Sequence, residues 1–134
     1  MSILVHGVPT NSFYQRLKGR KKKSDILVLE GRPHLEGARI VCCDLLKENI
    51  EPTLISDNMV AYGMWRGKID EIYLFYHQLN SQGAVCKIGS LVVGICAKEH
   101  KIPVHLYPAG KKTGDFGKAR DLFYFNGFRV APYG

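Results

Sequence analysis

The sequence predicts an α/β domain, a mostly parallel sheet with helices on both faces. Three observations point there. Short aliphatic runs recur along the chain, and several are apolar at every position, as in strands buried on both faces. Segments with apolar residues at helical spacing separate these runs. The resulting alternation of β and α elements implies parallel pairing through right-handed crossovers.

Each element has its own signal. Ile3-Leu4-Val5 is the first strand, and Asn11 or Ser12 caps a helix reaching to about Lys18. Ile26-Leu27-Val28-Leu29 is the second strand. A proline-containing loop, Glu30 to His34, follows it. From Leu35 to Glu48 the residues Leu35, Ala38, Ile40, Val41, Leu45 and Leu46 repeat at helical spacing. Thr53-Leu54-Ile55 is the third strand, and Ser56, Asp57 and Asn58 offer caps for a helix from Met59 to Trp65. Ile69 to Phe75 is the fourth strand, and Gly83 marks a turn. Val85 to His100 is expected as a helix with Val85, Ile88, Leu91, Val92, Ile95 and Cys96 on one stripe. Pro103 opens a fifth strand, Val104 to Tyr107. Phe123–Phe125 and Phe128–Val130 are short terminal strands.

The length of 134 residues argues for one domain over 1–134. Apolar residues at 46% and charged residues at 23% exclude a disordered chain. No apolar run approaches the roughly 20 residues that span a bilayer, and no signal peptide is evident at Met1, so no membrane partner and a cytoplasmic location are expected. Cys42, Cys43, Cys86 and Cys96 have no zinc spacing and read as reduced thiols. No metal and no cofactor is expected. The net charge of +7 is local: six basic residues lie between Arg16 and Lys23, and without them it falls to +1. This run either meets nucleic acid or is a solvated helix end.

In sheets of this kind ligands bind beyond the carboxyl ends of the strands. That rule singles out His6-Gly7, Glu30-Gly31-Arg32, Ser56-Asp57, Tyr76-His77-Gln78 and Pro108-Ala109-Gly110. Arg32 either forks onto a phosphate or carboxylate or pairs with Glu30 or Glu36. Asp57 caps the following helix unless a site recruits it. Lys87 lies at the start of a helix, where an anion shared with the amides would favour it. His77 is either an acid-base group or a structural histidine. His6 and His34 carry the same two readings. The common phosphate-loop, zinc-protease and nucleophile-elbow signatures are absent.

The ordered loops resemble one family. Glu30-Gly31-Arg32-Pro33 followed by Gly37-Ala38-Arg39 is similar to the E-x-R-P…GAR segment of the methylthioribose-1-phosphate isomerases. Their relatives are the ribose-1,5-bisphosphate isomerases and the α, β and δ subunits of translation initiation factor 2B. Thr53 to Met59 resembles T-L-I-x-D-S-M, and Lys87-Ile88-Gly89-Ser90 resembles N-K-I-G-T, continued by Ala97-Lys98…Ile102-Pro103. Phe125 to Pro132 resembles F-N-P-A-F-D-V-T-P, and Ile3 to Gly7 resembles I-L-T-H-C. The resemblance covers nearly the whole chain. It implies a Rossmann-like, three-layer domain equivalent to the family's C-terminal domain, with the N-terminal helical domain expected to be absent.

The resemblance also implies what is lost. The isomerases use a cysteine after T-H and an aspartate in G-A-D-R to move protons. Those positions are Gly7 and His77, and bulky Phe75 and Tyr76 replace the small residues of that segment. Cys86 stands for the asparagine before the lysine, and Arg129 for an aspartate. Arg32, Asp57, Lys87 and the amides around Gly89 remain. The expectation is a non-catalytic relative that binds a phosphorylated sugar or nucleotide, or a protein partner. One alternative is an aldose–ketose isomerase working through His77 and Cys86. Another is a nucleic-acid module using residues 16–23. A homodimer is implied by resemblance, with Tyr107, Phe123, Tyr124 and Phe125 as candidate exposed aromatics.

Overall fold

A computed structural model describes residues 1–20 and 23–110, together with the backbone of 124–125 and 128–129. The elements run β1 (Ser2–His6), α1 (Asn11–Lys18), β2 (Asp25–Leu29), a π-helical turn (Gly37–Val41) leading into α2 (Cys42–Lys47), and β3 (Pro52–Ile55). A short 3-10 turn (Asp57–Met59) leads into α3 (Val60–Trp65). Then come β4 (Glu71–Asn80), β5 (Gly83–Cys86), α4 (Ser90–Glu99) and β6 (Val104–Pro108), with a hairpin of β7 (Tyr124–Phe125) and β8 (Phe128–Arg129) near the end.

The strands lie in the order β3-β2-β1-β4-β6, every neighbouring pair parallel. The alternation of side chains across the strands makes two cores. Ile3, Val5, Ile26, Val28, Tyr73 and Phe75 point one way, onto Phe13, Tyr14 and Leu17 of α1 and onto Val41 and Leu45. Leu4, Leu29, Ile72 and Leu74 point the other way, onto Val60 and Met64 of α3 and Val93 and Ala97 of α4. The expected three-layer α/β architecture is therefore present. Chain order reverses between β1 and β4, so the crevice for a ligand lies beyond His6 and Phe75.

The region after Phe75 differs from the sequence expectation. β4 continues to Asn80 and turns back at Gly83 to pair antiparallel with β5, where a helix was expected from Val85. Asn80 stabilises the turn: its Oδ1 accepts the N–H groups of Gln82 and Gly83 at 2.9 and 3.1 Å. The helix starts only at Ser90, and it buries Ser90, Val93 and Ala97 rather than the expected stripe. Leu91, Val92 and Ile95 are 76%, 57% and 61% exposed. A helix apolar from Leu91 to Ala97 has two candidate inner faces, and periodicity alone picked the wrong one. The second helix also starts late, at Gly37 instead of Leu35, and leaves Leu46 exposed.

Tyr107 is no exposed aromatic. It packs with Phe13, Tyr73 and Phe75, and the Arg16 guanidinium lies 5.5 Å from its ring centre. Phe123 and the side chains of Tyr124 and Phe125 lie outside the described residues. The four cysteines are unbridged. Among the described residues no helix is long and apolar enough to cross a membrane.

Candidate functional site

Five chain segments converge at the carboxyl end of the sheet. The end of β1 supplies His6 and Gly7, the loop after β2 supplies Gly31 to Glu36, and the β5–α4 connection supplies Lys87 and Ile88. Asp57 reaches in from the end of β3, and His77 from β4. The β4–β5 hairpin explains the delivery of Lys87: the strand overruns the sheet and folds back, carrying the lysine over the crevice. Between the first three of these segments lies a cavity of about 20 Å³, room for about one water molecule.

Gly7 stands where a side chain would be strained. Its φ of +96° lies in the left-handed region, and a Cβ there would meet the Cβ of Phe75 at 3.2 Å. Phe75 is 1% exposed and sits edge-on to Phe13, with ring centres 4.9 Å apart. The bare backbone at position 7 thus lets β1 lie close against the Cβ of Phe75.

His6 is almost fully buried. Its Nε2–H donates to the carbonyl of Ile88 at 2.8 Å, and burial lowers its pKa below the usual 6.5 despite the Ile88 bond and the carboxylates of Asp57 and Glu36. With the proton on Nε2, Nδ1 is a buried acceptor with no hydrogen bond. Gly89, in a left-handed conformation with φ of +95°, makes this approach possible, because a Cβ would stand 3.2 Å from His6 Nε2.

Asp57 does not cap the turn that follows it. Its two oxygens accept the N–H groups of Gly31 and Arg32, at 2.9 and 2.7 Å, and so hold the loop after β2 against the end of β3. Arg32 Nε lies 3.5 Å from Glu30 Oε1, one of the two pairings open from sequence. Glu36 is taken by Lys87, Nζ to Oε1 at 3.3 Å, and both side chains are nearly buried. Glu36 was seen in the sequence only as a possible partner of Arg32. Nothing in the spacing marked it as a partner for a lysine 51 residues away.

His77 stands at a β-bulge between Tyr76 and Gln78, an irregularity typical of strand ends beside functional sites. Burial and the nearby Lys87 lower its pKa below 6.5, with Glu36 opposing, so the ring is neutral at pH 7. Burial raises the Cys86 thiol, which is thus protonated at neutral pH and a poor proton acceptor.

A larger groove of about 530 Å³ lies at the amino ends of β2 and β3, lined in part by Lys18, Arg20 and Lys23. It is the wrong end of the sheet for the ligand rule. Three of the described residues of the basic run are also engaged within the protein, while Lys23 is exposed. Arg20 pairs with Glu71 at 2.6 Å, Lys18 with Glu48 at 3.3 Å, and Arg16 covers Tyr107.

A family profile, the Initiation factor 2 subunit family, matches residues 2–112. The chain belongs to that family. It is 40% identical over 125 residues to a methylthioribose-1-phosphate isomerase from Thermosipho africanus, a match covering 84% of this chain and 36% of that protein. A second isomerase of that name, from Geotalea uraniireducens, is 34% identical over 126 residues, with the same coverage of 84% and 36%. The chain thus spans about a third of the length of these relatives. The fold is similar to that of translation initiation factor eIF-2B, subunit delta, from A. fulgidus, with a TM-score of 0.82 at 21% identity over 98% of this chain and 44% of that one. It is also similar to 5-methylthioribose 1-phosphate isomerase from Pyrococcus horikoshii OT3, with a TM-score of 0.74 at 24% identity over 98% of this chain and 43% of that one.

Proposed function

We propose that this chain is a non-catalytic member of the Initiation factor 2 subunit family that binds a phosphorylated sugar or nucleotide at the Arg32–Lys87 loop cluster. The observation that carries the reading is the contact between Gly7 and Phe75. The family resemblance assigns a proton-moving cysteine to position 7. A side chain there would need a left-handed backbone and a tight contact with the Cβ of Phe75. Aldose–ketose conversion needs two acid-base groups, and the second assigned position is His77 rather than a carboxylate. Arg32, Lys87 and the turn at Gly89 still gather positive charge and backbone dipoles at the switch point of the sheet. Asp57 belongs to this site as the brace that positions Arg32.

The same reading includes self-association. Tyr62 and Trp65 on α3 and Leu91, Val92 and Ile95 on α4 are exposed, and the two helices pack side by side on one face of the sheet. An exposed apolar face of this kind marks an association surface, and a second copy of this chain is the partner proposed.

The second reading, an isomerase with altered groups, is favoured by one observation. His77 is neutral and near Lys87, as a base beside an anchored phosphate would be. Calorimetric titration with ribose 1-phosphate and with AMP tests the binding claim. Binding to the wild type that is lost in Arg32→Ala and Lys87→Ala, each still folded by circular dichroism, supports it. No heat with either ligand overturns it.

A further inference from the structure

The Lys87–Glu36 pair has a consequence for how any anion enters. Both members are nearly buried, with side chains 9% and 12% exposed, and the cavity beside them holds about one water. A phosphate therefore does not fit alongside the pair. It has to take the place of the Glu36 carboxylate at Lys87 Nζ. Arg32 stands in the same relation to Glu30, but that pair is half open to solvent and correspondingly weak. Lys87 is the cation whose release matters, because a buried pair broken without replacement is costly.

The segment carrying Glu36 has an unusual backbone. Gly31 and Leu35 both have positive φ, +78° and +55°, and for leucine this conformation is strained. A π-helical turn begins directly after Glu36, and such turns are less stable than regular helix. Gly37 pins the far side of the segment: a Cβ there would overlap the carbonyl oxygen of Leu29, so the turn presses against β2 at that point. Residues 31–36 thus form a strained arch between a brace at Asp57 and a pin at Gly37, with Glu36 at its end.

We infer that Glu36 is a built-in competitor for the anion site, occupying Lys87 in the empty protein and displaced from it when a phosphorylated ligand binds. This inference rests on the anion-binding reading above and goes beyond it by assigning a residue that weakens binding. It makes ligand occupancy and the conformation of the 31–41 segment two sides of one equilibrium.

The test is calorimetry with inorganic phosphate and with ribose 1-phosphate on the wild type, Glu36→Gln and Lys87→Met. Glutamine keeps the shape and an oxygen for Lys87 but removes the competing charge. The expected result is affinity at least about tenfold higher in Glu36→Gln than in the wild type, and none in Lys87→Met. Equal or weaker binding by Glu36→Gln, with Lys87→Met still inactive, overturns the competitor role and leaves the anion site standing. No binding by either the wild type or Glu36→Gln overturns both. A measurement on the unmodified protein guards against a variant that fails to fold. The amide of Leu35 donates to Gly31 O at 2.7 Å and that of Arg39 to Leu35 O at 2.8 Å. Their hydrogen exchange should speed up on saturation with ribose 1-phosphate. Unchanged or slower exchange contradicts the displacement.

Discussion

The Cβ of Phe75 lies 3.2 Å from where a Cβ on Gly7 would be, so β1 and β4 pack closely where they meet at the switch point. The proposed non-catalytic reading rests on this contact. A cysteine at position 7 is not simply missing. A side chain there needs a left-handed backbone and a tight contact with the Cβ of Phe75. Gly7→Cys is therefore expected to destabilise the domain by about 1–3 kcal/mol, from the left-handed backbone together with the clash. Urea denaturation measures it, and a neutral effect would show that the ends of β1 and β4 yield easily to the added side chain.

The loop that carries Arg32 depends on one carboxylate. Asp57→Ala strips acceptors from two backbone N–H groups, Gly31 and Arg32. Hydrogen bonds to a charged group are worth about 1.5–3 kcal/mol each, less where the freed N–H reaches water. A loss of about 2 kcal/mol follows, with faster exchange at those two amides. Asp57→Asn should lose less, since one oxygen remains. If Asp57 were only a helix cap, the Gly31 and Arg32 amides would exchange as before.

Two histidines give the stability a pH dependence of known sign. His6 and His77 both have folded-state pKa values pushed below 6.5, chiefly by burial. The unfolded chain then binds protons more readily than the folded one. Their contribution is complete above pH 6.5 and is lost as pH falls below it. Denaturation midpoints measured between pH 8 and about 5 should decline over this range, and His6→Gln should flatten the decline. An equally steep fall in that variant would assign the effect elsewhere.

The exposed face of α3 and α4 predicts an oligomeric response. Leu91→Glu with Ile95→Glu places charge on residues 76% and 61% exposed, away from Val93 and Ala97 of the core. Sedimentation should give a dimer for the wild type and a monomer for the double variant, with the fold intact by circular dichroism. A wild type that sediments as a monomer at high concentration removes this surface from the account.

Much of this fold was legible in the sequence because its strands are apolar on both sides. Ile26 to Leu29 and Ile72 to Phe75 each alternate between two cores, and only a sheet covered on both faces requires that. The β4–β5 hairpin was not legible. Ala84, Val85 and Cys86 continue into an apolar helix without a break in composition, and the pairing that makes them a strand is with Tyr76 to Asn80. The inner face of α4 was hidden for a related reason: with Leu91, Val92, Val93 and Ile95 all apolar, hydrophobicity does not choose a side. At the site, strand ends located Arg32, Asp57 and His77, and the family resemblance supported Arg32, Asp57, Lys87 and Gly89. The partners of these residues are tertiary facts. Asp57 binds backbone amides, and Glu36 crosses the crevice to Lys87; neither relation leaves a local signal.

The most direct test of the central claim is turnover. Ribose 1-phosphate is incubated with the wild type and with His77→Ala, and formation of the ketose is followed by carbon NMR. The account predicts no ketose with either protein, although the wild type binds the sugar phosphate. Ketose formed by the wild type and lost in His77→Ala would mean that a proton-moving group survives at the end of β4, and the non-catalytic reading would be wrong.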